Sequence, residues 1–194
     1  GRPDVPGVFG KFKWGDVEVF LLDDRYHRSP TSAPPTDDKT MWGEAQRQWL
    51  IDALTTSEAP FKLVVNGGQV TTPKAQYETG ARFPHEQSLL LDAIQERQIE
   101  GVVFLSGDRH ISELLRRQPE GFYPIYEFTN SPLTAGAGSG SANPTRVEGT
   151  LVEQRNFGTL TVRGPREDRA LTLRTFDADG ELLWERTIRA QSLT

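Results

Sequence analysis

The residues that most constrain this chain are Val102-Val103-Phe104-Leu105-Ser106-Gly107-Asp108-Arg109-His110, an apolar run that stops on a small residue and then delivers an acid and an imidazole two positions apart. A continuous apolar run of this length reads as a strand buried on both faces, and the carboxyl ends of such strands are where open α/β sheets hold ligands. Carboxylate and neutral imidazole both bind Zn, Fe or Mn, and on extended backbone side chains two apart point to the same side. Asp108 and His110 are therefore candidate metal ligands. The alternative is a turn in which Asp108 caps a following helix and His110 is an ordinary satisfied polar residue.

The 194 residues, 36% of them apolar, suffice for one core and a single domain. A net charge of -5 gives no electrostatic footprint for nucleic acid or an anionic membrane surface. With no cysteine, disulfides and thiolate metal sites are excluded from the segment and the redox compartment cannot be read from it. Apolar runs are too short to cross a bilayer, and Gly1-Arg2-Pro3-Asp4 shows no signal-peptide pattern.

Short β-rich runs alternate with helical periodicity, the pattern of strand-helix-strand units around a largely parallel sheet. Strands are expected at Val17–Leu22, Phe61–Val65, Val102–Leu105 and Tyr126–Thr129. Helices are expected over Gly43–Leu54 and Pro84–Gln98, giving three strand-loop-helix repeats, and a further short helix is expected from Ser112 through Glu-Leu-Leu-Arg-Arg. That last helix would place Asp108 and His110 near its amino terminus, where an anionic phosphate is favoured. Residues 1–134 thus carry the repeats. Residues 135–149, rich in glycine and serine, match no phosphate-binding fingerprint and read as a mobile connector. Residues 150–194 read as an antiparallel meander, with Asp177-Ala178-Asp179-Gly180 as a tight turn instead of a calcium loop.

Two other clusters fall at strand ends. Asp23-Asp24-Arg25-Tyr26-His27-Arg28 can orient phosphate through arginine or bind metal through its acids. Internal salt bridging is the plainer reading for Asp24 and His27. Asn66 and Gln69 can offer amide oxygen to a hard metal or amide nitrogen to phosphate, with turn chemistry at Asn66-Gly67 as the alternative. His85 fits the first turn of a helix.

Phe20–Arg28, Gly43–Leu50, Phe61–Asn66 and Leu105–Leu114, taken in order, resemble the carboxyl-terminal half of the alkaline phosphatase D family, the PhoD-like members of the calcineurin-like metallophosphatases. Asn156-Phe157-Gly158 in the meander suits the family's end. The resemblance implies an α/β fold, half of a four-layer α/β/β/α sandwich with a mixed sheet and a closing antiparallel meander. It implies metal-dependent hydrolysis of phosphate monoesters and diesters, with two or more metals, iron or another transition metal together with calcium. A metal-activated hydroxide would attack phosphorus in line. Asp108 and His110 match the last metal-binding motif, Asn66 stands near another ligand position and is assigned a catalytic role, and Arg25 matches the strand-end arginine, assigned to catalysis and substrate binding. Arg109 is assigned to substrate binding.

The early metal motifs of such enzymes do not occur ahead of Asp23, so the chain is expected to be an incomplete part of the enzyme, inactive alone, with an absent amino-terminal half or self-association completing it. A periplasmic or extracellular location follows from the resemblance alone. The rival reading is a non-catalytic interaction module of the same fold. A nucleotide-binding domain ranks last, since no glycine-rich loop follows a strand and opens a helix.

Overall fold

A computed structural model describes residues 6–194. Strands β2 (Val17–Leu21), β3 (Phe61–Val65), β4 (Val102–Ser106) and β6 (Ile125–Thr129) run parallel in the middle of a six-stranded sheet. Its edges are antiparallel: β1 (Gly10–Trp14) on β2, and β5 (Glu113–Arg117) on β6. Helices α1 (Glu44–Thr56) and α2 (Pro84–Glu96) make the β2-to-β3 and β3-to-β4 crossovers. Strands β7 (Asn156–Arg163), β8 (Ala170–Asp177) and β9 (Leu182–Arg189) form a separate antiparallel sheet, the meander expected from the sequence.

The reason for the layering is visible in burial. All of Val102, Val103 and Phe104 are inaccessible, so the central strands must be covered twice. Right-handed crossovers put both helices on one face, where Phe20 of β2 meets Trp49 of α1 with ring centroids 6.5 Å apart. The meander packs against the other, where Phe128 of β6 meets Trp184 of β9 at 5.3 Å. One apolar cluster joins the three layers. Truncating a residue at its centre, such as Phe104→Ala, costs about 3–5 kcal/mol.

Local signals explain the helix ends. Pro84 starts α2, where its missing N–H is no loss. The same helix stops in a paired 6→1 and 5→2 arrangement, Ile99 N–H to Ile94 O and Gln98 N–H to Gln95 O, with Gln98 at φ 50 where glycine is usual. His85 lies in the first turn of α2, as expected.

Three expectations fail. Glu113–Arg117 is strand β5, not a helix: its residues are good helix formers, but pairing with β6 buries Leu114 and Leu115 and outweighs propensity. Among the described residues there are therefore only two strand-loop-helix repeats, and no helix amino terminus follows Asp108 and His110. The Ala135–Ser141 segment is not a free connector, because Gly138 N–H donates to His110 O at 2.7 Å and the Lys74 ammonium donates to Ser141 Oγ and Ala142 O. Among the described residues no helix is long and apolar enough to cross a membrane.

Candidate metal and phosphate site

Because β2, β3, β4 and β6 are parallel, their carboxyl ends open on the same rim of the sheet. Backbone bonds lock the loops leaving that rim to one another: Leu22 N–H to Val65 O, Asn66 N–H to Leu105 O, Gly107 N–H to Gly67 O and Asn130 N–H to Ser106 O. Beside them lies a cavity of about 1030 Å³ whose wall includes Arg25, Glu78, Asp108, Arg109 and His110. Of the strand-end residues singled out in the sequence, Arg25, Asp108, Arg109 and His110 converge on this concavity.

Asp108 and His110 reach it by an unexpected route. The strand has ended at Ser106, and both residues adopt left-handed backbone, φ 60 and φ 56. Non-glycine residues held there cost on the order of 1 kcal/mol each and persist only where the surroundings impose them. The extended-strand argument for a shared direction therefore does not apply, and the turn itself brings them to one cavity. On the following side the turn is pinned by Ile111 and Ser112, both buried, and by the Ser112–Val152 bridge.

His110 Nδ1 lies 2.7 Å from Gly136 O. A carbonyl only accepts, so Nδ1 is the donor, and in the neutral ring Nε2 is left with its lone pair, the bracing found around metal-bound imidazoles. Asp108 is more than half exposed and has one distant cationic neighbour, Arg25 NH2 at 3.8 Å. These are two donors with their electron pairs unspent. Among the described residues no three His, Cys, Asp or Glu side chains lie close enough to enclose a metal. The pair could supply two ligands to a metal but does not by itself enclose one.

Arg25 links three loops. Its NH1 donates to Glu78 at 2.5 Å, Nε approaches Asp24 Oδ1 at 3.4 Å, and NH2 faces Asp108. Arg28 binds the same Glu78 carboxylate at 2.6 Å. The Arg28 guanidinium first, then Arg25, holds the Glu78 carboxyl below the ordinary range against the opposing effect of burial.

Asn66 stands differently. It is buried and absent from the cavity wall: Oδ1 accepts from Trp42 Nε1 at 2.9 Å, and Nδ2 donates to Gly68 O at 2.8 Å and Asp24 Oδ2 at 3.3 Å. Gln69 is buried too, donating to Glu113 and Thr129. Asp24 and His27 form no pair with each other: Asp24 accepts Gly68 N–H, and His27 Nε2 lies 3.2 Å from Pro6 O. The internal salt-bridge reading holds for Asp24, whose Oδ1 lies 3.4 Å from the neighbouring Arg25 Nε, and fails for His27, whose ring meets a backbone carbonyl instead. Asp23 accepts three backbone N–H groups, from Val8, Arg25 and Tyr26. Burial alone would raise its pKa, and these donors together bring it below the usual carboxylate range.

The sequence reading passed over residues 71–82. This long β3-to-α2 connection contributes Gln76, Tyr77, Glu78 and Arg82 to the cavity, and Gly138 and Ser139 come from the glycine-serine segment. Its length without regular structure was the available signal.

The comparisons agree with the geometry. The family model for PhoD-like phosphatase matches residues 3–176. The chain belongs to the PhoD-like phosphatase family. It is 26% identical to alkaline phosphatase D of Bacillus subtilis (strain 168), over 57% of this chain and 22% of that protein. It also matches a solved structure described as "Structure of PhoD" with a TM-score of 0.65 at 18% identity, over 96% of this chain and 44% of the other. The PhoD-like chain thus spans less than half the length of either relative. The fold reading, α/β with a mixed sheet and an antiparallel meander, holds.

Proposed function

We propose that this PhoD-like chain forms one wall of the site of a metal-dependent phosphatase that hydrolyses phosphate monoesters and diesters. The observation that carries it is the Asp108-Arg109-His110 turn: a left-handed bend at the cavity edge, with one imidazole nitrogen fixed on Gly136 O and the other left free beside an uncommitted carboxylate. Asp108 and His110 Nε2 would hold a cation, iron or another transition metal, with calcium nearby. Such a cation, when bound, supplies Lewis acidity to the phosphoryl group. Arg25, already tied through NH1 to Glu78, turns NH2 toward Asp108 and meets a phosphoryl oxygen there. Arg109 adds a second guanidinium from the ligand turn. Asn66 acts from beneath, fixing the Gly67-Gly68 turn and the Trp42 indole, which is a positioning role.

The rest of the enzyme, as an amino-terminal portion or a second copy, would meet the sheet face turned away from α1. Phe20 points to the helices, so Val19 and Leu21 face the opposite way, and the register puts Phe12 and Trp14 beside them. Phe12, Trp14 and Leu21 are all exposed. A contiguous apolar patch of this kind marks an interface. Dimerisation in light scattering supports a second copy as occupant, and a strict monomer rules it out. By the same family reasoning the protein works in the periplasm or outside the cell.

The test is turnover of p-nitrophenyl phosphate and bis-p-nitrophenyl phosphate by the full PhoD-like polypeptide carrying this segment. Asp108→Asn and His110→Ala are each expected to lower kcat at least 100-fold. Wild-type rates in both variants would dismiss the assignment. A second reading, a non-catalytic module of the same fold, draws on the two-donor count among the described residues. Elemental analysis of the full polypeptide carrying this segment separates the two, since stoichiometric metal that is lost in His110→Ala favours a working site.

A further inference from the structure

One wall of the cavity is not used by the proposed chemistry. Tyr77, in the β3-to-α2 connection, is 68% exposed yet held in left-handed backbone at φ 50. A large aromatic residue in that conformation strains the chain, and at this exposure its ring returns little through burial. The Arg109 guanidinium lies over the ring, 4.5 Å from its centroid. Arg109 has no carboxylate within ion-pair distance among the described residues, and its Nε is buried without a hydrogen-bond partner. Stacking on Tyr77 is thus what fixes this cation, which sits between the two candidate metal ligands in sequence.

We propose that the Tyr77 ring, backed by Arg109, is a subsite for a planar aromatic substituent on a phosphate ester. The assignment rests on the phosphatase reading above and narrows its substrate class. The cavity wall includes both the ring and the Asp108–His110 turn, so a phosphoryl group held at the turn places its ester arm along the same wall. A ring already carrying a cation on one face offers the other to an electron-rich plane, and ring stacking contributes enough to alter affinity several-fold. A small alkyl ester gains nothing from this wall. Among the described residues no carboxylate other than Glu78 and Asp108 lines the cavity, and Glu78 is held by two arginines.

Calorimetric titration of the full PhoD-like polypeptide carrying this segment with inorganic phosphate, methylphosphonate and phenylphosphonate tests this without turnover. Phenylphosphonate is expected to bind about three- to tenfold more tightly than methylphosphonate. Tyr77→Leu should erase that preference, with whatever loss follows from freeing Arg109 shared equally by both phosphonates, whereas Tyr77→Phe should keep it. Arg109→Gln should weaken both phosphonates. Equal affinity of the wild-type chain for the two phosphonates, or a preference that survives Tyr77→Leu, overturns the subsite while the phosphate reading stands. Failure of all three anions to bind overturns the subsite and the phosphate reading together.

Discussion

The ends of β2 and β4 carry the same chemical types, acids followed closely by arginine and histidine, and put them to opposite uses. At the end of β2, Asp23 takes backbone N–H groups from three residues and Asp24 takes Gly68 N–H and the Asn66 amide. Those carboxylates are spent on holding loops together. At the end of β4, Asp108 has a single cationic neighbour 3.8 Å away, and His110 keeps one ring nitrogen free. The lesson is that a strand-end acid stays uncommitted only where backbone N–H groups do not reach it. At β4 the acid sits on left-handed backbone, as does His110, and its carboxylate accepts no backbone N–H among the described residues.

Substitutions sharpen the contrast, beginning with the largest effect. Asp24→Ala strips the acceptor from the buried Gly68 N–H and should lower stability by about 1–3 kcal/mol in urea unfolding. A loss below a few tenths would erase the distinction between the two strand ends. Asn66→Ala unseats the Trp42 indole and Gly68 O, and a comparable loss of about 1–3 kcal/mol is expected, with fluorescence of the unfolding transition as the readout.

At the other strand end the sign reverses. Asp108→Gly relieves backbone held at φ 60 and removes no short hydrogen bond, so the chain should gain up to about 1 kcal/mol while the full enzyme loses activity. A destabilised Asp108→Gly variant would mean that this carboxylate braces its loop as Asp24 does.

The smallest effect is acid-dependent. The folded pKa of Glu78 is depressed by Arg28 and Arg25, so its contribution is present above the ordinary glutamate pKa of about 4.3 and is lost as pH falls through the lower folded value. Melting temperature should therefore drop less between about pH 5 and about pH 3 in Glu78→Gln than in the wild type. Parallel pH profiles would show that the Arg25–Glu78–Arg28 bridge adds nothing to the fold.

Much of the sheet was legible because its signal is local. Phe61–Val65 and Val102–Leu105 read as buried strands from their apolar runs, and the helices expected over 43–54 and 84–98 from periodicity and Pro84 form over 44–56 and 84–96. The Glu113–Arg117 strand was not legible, since its residues favour a helix in isolation and the partner that overrides them, β6, lies eight residues further on. Edge strand β1 escaped notice because Lys11 and Lys13 alternate with aromatic residues over only five positions.

The sequence alone determined which strands are central and that the candidate site residues stand at their carboxyl ends, because burial on both faces demands continuous apolar runs and parallel pairing collects those ends on one rim. Only the tertiary structure decided which of those residues are free. That depends on hydrogen bonds between segments 24 to 44 positions apart, such as Asp24 with Gly68, Trp42 with Asn66 and His110 with Gly136, and no local pattern encodes a partner at that distance.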